Sequence, residues 1–308
     1  MTADTRLIAE KEKSDAALSS VIAAVALTTL KIIVGVITGS LGILAEAAHS
    51  ALDLVAALVT FLAVRLSGKP ADRAHLYGHG KVENLSALFE TLLLLVTCGW
   101  IIYEAVQRIF FKQVEIEVSI WAFLVMFVSI IVDITRSRVL YRAARKHNSQ
   151  ALEADALHFS TDIWSSSVVI AGLLFVKIGE WVPNLRFLHK ADAVAALGVA
   201  LIVIYVSIEL GIRTVQALLD AAPQGLAEKI TSAVEAVPGV DNCHNVRLRY
   251  MGAHLFVDTH ILVDGSQPLE EAHQITELVE QAVQNIVPNS DVTVHPEPTP
   301  LPSEPPQE

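Results

Sequence analysis

Long apolar runs alternate with short polar segments over the first two thirds of the chain. A transmembrane helix needs about 20 mainly apolar residues. By this measure the pattern predicts six spans, at residues 14–38, 41–66, 83–110, 118–142, 151–177 and 191–217. After residue 217 the runs shorten, become acidic and contain most of the prolines. We therefore predict an all-α membrane domain followed by one small soluble domain.

The soluble part, residues 218–298, changes between helical and strand periodicity. It predicts a helix at 223–237, strands at 243–250 and 254–263, a helix at 268–286 and a strand at 291–295. The order αββαβ fits a two-layer α+β domain of the ferredoxin-like or metallochaperone-like kind, with an open-faced antiparallel sheet. Residues 1–13 form a polar N-terminal segment, and the proline-rich acidic residues 299–308 predict a disordered tail.

Composition agrees with a membrane protein. Hydrophobic residues make up 53% of the 308 residues, and the mean hydropathy of +0.49 exceeds that of ordinary soluble domains. The net charge of −11 argues against nucleic acid as a partner. The two cysteines, Cys98 and Cys243, lie far apart and indicate no disulfide framework, so we expect Cys243 in a reducing compartment.

Basic residues at the ends of the spans predict the orientation. One set of ends carries Arg6, Lys11, Lys13, Arg65, Lys69, Arg73, Lys81, Arg136, Arg138, Arg142, Arg145 and Lys146. The other set carries only Arg108, Lys112, Lys177, Arg186 and Lys190. Lysine and arginine concentrate on the cytoplasmic side, so both termini are expected there. Because no cleavable signal precedes the first span, we expect a bacterial inner-membrane protein.

Two of the predicted spans each carry a histidine and an aspartate four residues apart, His49 with Asp53 and His158 with Asp162. Positions i and i+4 lie on one face of a helix. Ionisable groups are costly in hydrocarbon, so these faces should turn inward and find partners. Two imidazoles and two carboxylates suit a four-coordinate divalent metal such as Zn²⁺. We predict that metal crosses the membrane through this His2Asp2 site.

Two acidic residues lie near the predicted ligands on the same helices. Glu46, one turn before His49, is either a hydrogen-bond partner of that imidazole or a polar residue near a helix end. Asp155 precedes His158 by three residues and could orient its ring.

Two further acidic residues, Glu90 and Asp133, lie inside the third and fourth spans. They could line a pathway, as ionisable residues within membranes often do. The interpretation that we favour places each within reach of the inner interface, where Arg136 or Arg138 could pair with Asp133.

Histidines also cluster outside the spans. Asp72, His75 and His79 follow the second span and could bind a metal, but on their own we interpret them as part of a solvated loop. The soluble domain has His244, His254, His260, His273 and His295. Five histidines in a small acidic domain are compatible with a metal site and equally with surface or core positions.

Taken together, these features resemble the cation diffusion facilitator family, in particular its bacterial zinc and iron exporters. The resemblance runs from about residue 14 to residue 298. It rests on both H-x3-D pairs, the loop PADRAHLYGHGKVE and the segment VTVHPEP. It implies a homodimeric transporter, not an enzyme, that exports divalent metal from the cytosol in exchange for protons. Residues 218–298 would be its cytosolic dimerisation domain.

The resemblance also implies roles for individual residues. Those at the transport site would be His49, Asp53, His158 and Asp162. Many bacterial relatives have aspartate where this chain has His49, and histidine there resembles the zinc-preferring animal and plant branch. Zn²⁺ is therefore favoured over Mn²⁺ or Fe²⁺.

Further sites are implied outside the transport quartet. Asp72, His75 and His79 match the second metal site of the family. The positions that bind a zinc pair at the dimer interface are His244, His260, His273, His295 and Glu297. Glu297 stands where the bacterial relative has aspartate, and His254 has no counterpart. Lys81 and Asp220 match a charge interlock between protomers.

The residue chemistry fits such a mechanism independently. Metal binds deprotonated ligands, so loading releases protons and protonation expels metal. The bundle would alternate access to the site, and zinc in the cytosolic domain would tighten the dimer and bias that equilibrium. Two alternatives from other classes are a membrane metallohydrolase, which would need a general acid or base beside the ligands, and a metal sensor that does not transport.

Overall fold

A computed structural model describes residues 3–110, 120–181 and 191–300. The chain divides into a helical unit of residues 4–215 and a C-terminal unit that begins at Gln216. The helices are α1 (Ala3–Thr38), α2 (Leu41–Ser67), α3 (Lys81–Phe110), α4 (Ile120–His147), α5 (Gln150–Trp181) and α6 (Ala191–Leu218). The predicted series of long helices is confirmed, and α1 extends through most of the N-terminal segment.

Four of these helices are long and apolar enough to cross a membrane. Within the described residues the candidate spans are Leu7–Thr38, Glu46–Ser67, Lys81–Gln107 and Leu197–Leu218. The helices α4 and α5 have 28 and 32 residues, a length sufficient to cross a membrane. Length and composition of the described residues thus support four of the six predicted spans.

Helix α5 packs against α2, α3 and α4. A core cluster between α1, α2, α4 and α5 contains small and apolar side chains, among them Ala57, Leu140, Leu152 and Phe159. All four of these side chains are almost completely buried. This packing brings the H-x3-D faces of α2 and α5 together.

A tight turn joins α1 to α2. Gly39 has a φ of 64°, a left-handed conformation that glycine adopts without steric cost. Ser40 caps α2 by accepting a hydrogen bond from the N–H of Ile43. The turn places the first half of α2, with its histidine, beside the second half of α1.

The C-terminal unit contains α7 (Leu226–Glu235), β1 (Asn242–Met251), β2 (His254–Val263), α8 (Leu269–Ile286) and β3 (Ser290–Pro298). The predicted αββαβ order is confirmed. The sheet order is β1-β2-β3, with β1 antiparallel and β3 parallel to β2. The predicted all-antiparallel sheet is wrong for β3. Because α8 carries the chain back along the sheet before β3 starts, that strand must run in the direction of β2.

Strand β2 alternates perfectly between buried and half-buried positions. Its inward side chains, such as Leu255 and Ile261, pack with Ile230 of α7 and Val279 of α8. The other face of the sheet is left open, and it bears the histidines. The first residue of the predicted disordered tail is held against β2, because the N–H of Thr299 donates to the carbonyl of Val263 at 2.8 Å. Residues 301–308 lie outside the described residues.

Candidate metal sites

The four predicted ligands within the helical unit converge. His158 Nε2 lies 3.2 Å from Asp53 Oδ1 and 3.8 Å from Asp162 Oδ2. His49 Nε2 lies 3.9 Å from Asp53 Oδ1 and 4.0 Å from Asp162 Oδ1. Ligands about 2 Å from a tetrahedral Zn²⁺ stand roughly 3.3 Å from one another. His49, Asp53 and Asp162 each place one ligand atom within 4.8 Å of the others, and His158 contacts both carboxylates. The side chains must move closer together before all four surround one small ion.

The site is exposed on one side and closed on the other. The His49 side chain is 45% exposed, whereas that of His158 is 6% exposed. A cavity of about 260 Å³ is lined by side chains of α1 to α5, including His49, Asp53 and Asp162. It occupies the half of the bundle nearer the α1–α2 turn. The core cluster of Ala57, Leu152 and Phe159 lies further along the same helices and closes the other side.

The structure gives the two neighbouring acids, Glu46 and Asp155, hydrogen-bond or ion-pair partners on α1. Glu46 Oε2 lies 3.3 Å from Lys31 Nζ, which also donates to Ser50 Oγ at 2.7 Å. Glu46 thus pairs with a cation of α1 rather than with the His49 imidazole. Asp155 is fully buried, and it accepts a hydrogen bond from Ser20 of α1 at 3.3 Å. Its Oδ2 therefore joins α5 to α1, whereas its Oδ1 is buried without a hydrogen-bond partner among the described residues. Its role in orienting His158 stays a prediction.

The structure places the two further acidic residues, Glu90 and Asp133, in different surroundings. Asp133 forms the predicted ion pair with Arg136, at 3.5 Å, and lines the cavity. Glu90 is fully buried, so the prediction of an interfacial position is wrong for it. It accepts a hydrogen bond from Thr60 at 3.0 Å, and its second oxygen lies 3.9 Å from His158 Nδ1. A carboxylate in the middle of an apolar run was the signal that could have identified it.

The loop residues Asp72, His75 and His79 also come together, with one ligand atom of each within 4.8 Å of the others. Asp72 Oδ1 accepts the N–H groups of Ala74 and His75 at 2.8 and 2.7 Å. These backbone hydrogen bonds lower the pKa of the Asp72 carboxyl below its usual value. Asp72 Oδ2 lies 3.4 Å from His79 Nε2. The carboxylate therefore both builds the turn and faces the imidazoles.

Three histidines form a row across the open face of the sheet. The register pairs His244 of β1 with His260 of β2, and His260 with His295 of β3. The Glu297 carboxylate reaches all three, at 3.4 Å from His244 Nε2, 2.8 Å from His260 Nδ1 and 3.6 Å from His295 Nε2. The His260 hydrogen bond lowers the pKa of Glu297. The longer side chain of glutamate is thus compatible with a shared site here.

The other two histidines of this unit stand apart from the row. His273 on α8 is 70% exposed and lies 3.7 Å from Glu277. His254 Nδ1 lies 2.9 Å from Asn289 Oδ1, a contact that ties the start of β2 to the turn before β3. We interpret His254 as structural.

Lys81 and Asp220, the predicted interlock, belong to the helical and the C-terminal unit respectively. Lys81 begins α3, and Asp220 follows α6 with a φ of 59°. The pairing between protomers stays a prediction.

Comparison with known proteins identifies the family. The model of the cation efflux transmembrane domain matches residues 17–219, and that of the cation efflux protein cytoplasmic domain matches residues 222–299. Cation-efflux pumps FieF from Citrobacter koseri and Cronobacter sakazakii are 34% and 32% identical over 288 and 286 residues, covering 92% of this chain and 92% of each relative.

Among solved structures, MamM-CTD 215-293 is 32% identical, with a TM-score of 0.24, and covers 25% of this chain and 98% of that chain. The matches of both family models extend over nearly the whole chain. They describe transporters and not enzymes, which excludes the metallohydrolase alternative. The chain belongs to the cation efflux family, also called the cation diffusion facilitator family, of divalent-metal exporters.

Proposed function

We propose that this transporter exports Zn²⁺ from the bacterial cytosol in exchange for protons, through His49, Asp53, His158 and Asp162. The observation that supports this most is the convergence of two imidazoles and two carboxylates at one end of a cavity inside the bundle. Nitrogen and oxygen ligands in a four-coordinate set suit Zn²⁺. The FieF relatives carry the name of cation-efflux pumps.

Proton exchange follows from the ligands themselves. A metal ion binds the neutral imidazole and the ionised carboxylate, so it competes with protons for the same atoms. Imidazole titrates near neutral pH, which lets a modest proton gradient drive release. The site needs no separate proton carrier for this exchange.

The position of the cavity supports an outward-facing conformation. With both termini in the cytoplasm, as the basic residues predict, the α1–α2 turn faces outward. The cavity beside it would then release metal outside the cell, while the core cluster of Ala57, Leu152 and Phe159 closes the cytosolic side. Transport requires this cluster to separate in the inward-facing state.

The remaining clusters would be accessory metal sites. Asp72, His75 and His79 would hold one ion near the cytosolic end of α3. His244, His260, His295 and Glu297 would hold zinc on the open sheet face, joined by His273 at the interface of a homodimer. Zinc there would stabilise the dimer and bias the transport cycle. Lys81 and Asp220 would interlock the two protomers. If alanine at His260 and His295 leaves the zinc dependence of transport unchanged, this regulation is absent.

Two functions other than zinc export can be tested against this proposal. An exporter of the same family that prefers Mn²⁺ or Fe²⁺ would use the same four positions, and His49 is the residue that favours Zn²⁺. A membrane metal sensor would bind ions without moving them. The cavity that connects the ligands with one side of the bundle favours transport over sensing.

The decisive experiment measures metal uptake into proteoliposomes with an imposed proton gradient, for Zn²⁺, Mn²⁺ and Fe²⁺. Wild type is compared with Asp162→Ala and with Ser166→Ala, a matched control that lines the same cavity. We expect gradient-dependent Zn²⁺ flux in wild type and Ser166→Ala, and none in Asp162→Ala. Equal flux in all three proteins would exclude the quartet as the transport site. Binding without flux in wild type would favour the sensor.

A further inference from the structure

Glu90 is a fully buried carboxylate that the transport mechanism above does not use. It lies in the middle of α3, where Thr60 of α2 donates to its Oε1 at 3.0 Å. Its Oε2 is buried without a hydrogen-bond partner among the described residues. An unsatisfied buried polar atom destabilises the folded state, and a charged one does so more strongly. An apolar side chain would pack α3 against α2 without this cost, so the carboxylate needs another explanation.

A predicted metal ligand, His158, lies beside this oxygen, and one nitrogen of its ring also lacks a hydrogen-bond partner among the described residues. His158 directs Nε2 toward Asp53 and Asp162. Its Nδ1 is also buried without a hydrogen-bond partner among the described residues, and it lies 3.9 Å from Glu90 Oε2. One ring nitrogen thus faces the ligand cluster and the other faces an unsatisfied acceptor. A small rotation of either side chain closes this gap to a hydrogen bond.

We infer that Glu90 is a positioning residue for metal binding, which accepts the Nδ1–H of His158 and directs its Nε2 lone pair to the ion. This inference rests on the proposed transport site. In a neutral imidazole one nitrogen carries the hydrogen and the other accepts, so a carboxylate at Nδ1 selects the tautomer that can bind metal through Nε2. It also restricts rotation of the ring.

The surrounding contacts support Glu90 over the other nearby acid. Asp155 lies on the same helix as His158, its Oδ2 accepts from Ser20 of α1, and its Oδ1 is likewise buried without a hydrogen-bond partner among the described residues. Of these two acids, however, only Glu90 lies within ion-pair distance of an imidazole nitrogen, at 3.9 Å from Nδ1. Thr60 holds one oxygen of Glu90, which leaves the other directed at the imidazole. Glu90 comes from α3, and so adds a third helix to a site whose ligands lie on α2 and α5.

The experiment compares Glu90→Leu and Glu90→Gln with Thr91→Val, a matched control. Thr91 is a buried neighbour on α3 whose hydroxyl bonds to its own helix at the carbonyl of Ala87. To isolate the intramembrane site, all proteins carry His75→Ala, His79→Ala, His260→Ala and His295→Ala. Zn²⁺ affinity is measured by competition with a chelating dye, uptake gives KM and the maximal rate, and unfolding is followed without metal.

Loss of a carboxylate partner of a ligating histidine costs about 10–100-fold in metal affinity. We expect Glu90→Leu to weaken Zn²⁺ binding and raise KM in this range. Glu90→Gln should change less, because its amide oxygen still accepts the Nδ1–H. The midpoint of metal-free unfolding should not fall, and Thr91→Val should match the parent. Unchanged affinity and KM in Glu90→Leu, or a drop in metal-free stability alone, would overturn the inference.

A second measurement requires no variant. In a zinc-loaded structure of the wild-type protein, we expect about 2.7–3.0 Å between His158 Nδ1 and Glu90 Oε2. A separation above 3.5 Å with the ion in place would also overturn the inference. Asp162→Ala in the same uptake assay separates the two proposals. Flux that survives this change refutes the transport site, whereas a wild-type response of Glu90→Leu refutes only the role of Glu90.

Discussion

Lys13 of α1 and Glu83 of α3 form a buried ion pair, with Lys13 Nζ 2.8 Å from Glu83 Oε1. Ser67, the last residue of α2, donates to the same oxygen at 2.8 Å. Ser149, at the junction of α4 and α5, donates to the other oxygen. One carboxylate thereby joins these helices at the end of the bundle opposite the cavity. Sequence reasoning missed this cluster because its members are far apart in the chain.

Lys13→Met should destabilise the protein, since it leaves the buried Glu83 carboxylate without its cation. Breaking one partner of a buried pair costs about 3–5 kcal/mol, and the two serine donors should keep the loss near the lower value. Unfolding in detergent at constant pH measures it. The double variant Lys13→Met, Glu83→Leu serves as control and should recover most of the loss. Additive losses would show that the pair contributes no coupling.

His49→Asp should shift the metal preference of transport. The change replaces the most exposed predicted ligand of the quartet by a carboxylate, which suits Mn²⁺ better than imidazole does. We expect the ratio of Mn²⁺ to Zn²⁺ uptake to rise about tenfold, equivalent to about 1.4 kcal/mol. His49→Ala is the control and should impair uptake of both ions. An unchanged ratio would assign selectivity to another part of the site.

Asp72→Asn and Asp72→Ala should separate the two roles of that side chain. The asparagine oxygen can still accept the N–H groups of Ala74 and His75, so the turn should persist while the charge toward His79 is lost. Alanine should lose both functions. Amide hydrogen exchange in the loop reports the turn, and zinc titration reports the metal site. Zinc binding by Asp72→Asn at wild-type affinity would contradict the predicted ligand role.

Glu297→Asp should weaken zinc binding in the C-terminal unit, because shortening the side chain by one methylene withdraws the carboxylate from three histidines. Zinc at 100 times its Kd stabilises a folded protein by about 2.7 kcal/mol. We expect zinc to stabilise the folded state of Glu297→Asp and of Glu297→Gln by less than half of this value. Glu277→Gln, an exposed change on α8, is the control. Full stabilisation in Glu297→Gln would exclude the carboxylate from the site.

The predictable features were those encoded over short distances. Apolar windows located the helices, and the i, i+4 spacing placed His49 with Asp53 and His158 with Asp162 on common faces. The order αββαβ followed from changes in periodicity. The direction of β3 did not follow, because it depends on the path of α8 across the sheet. The same limit applies to Glu46 and Asp155, whose hydrogen bonds go to residues of α1.

By itself the sequence determined the element order, the four candidate ligand positions on α2 and α5, and the histidines of the loop and sheet, since each depends on local periodicity and residue chemistry. The tertiary structure alone decided which groups those residues meet. It set Glu90 behind His158, Lys31 against Glu46, and Glu297 among the histidine row. Partners of a buried charge come from whichever helix packs against it, and that packing depends on the whole bundle rather than on any one segment.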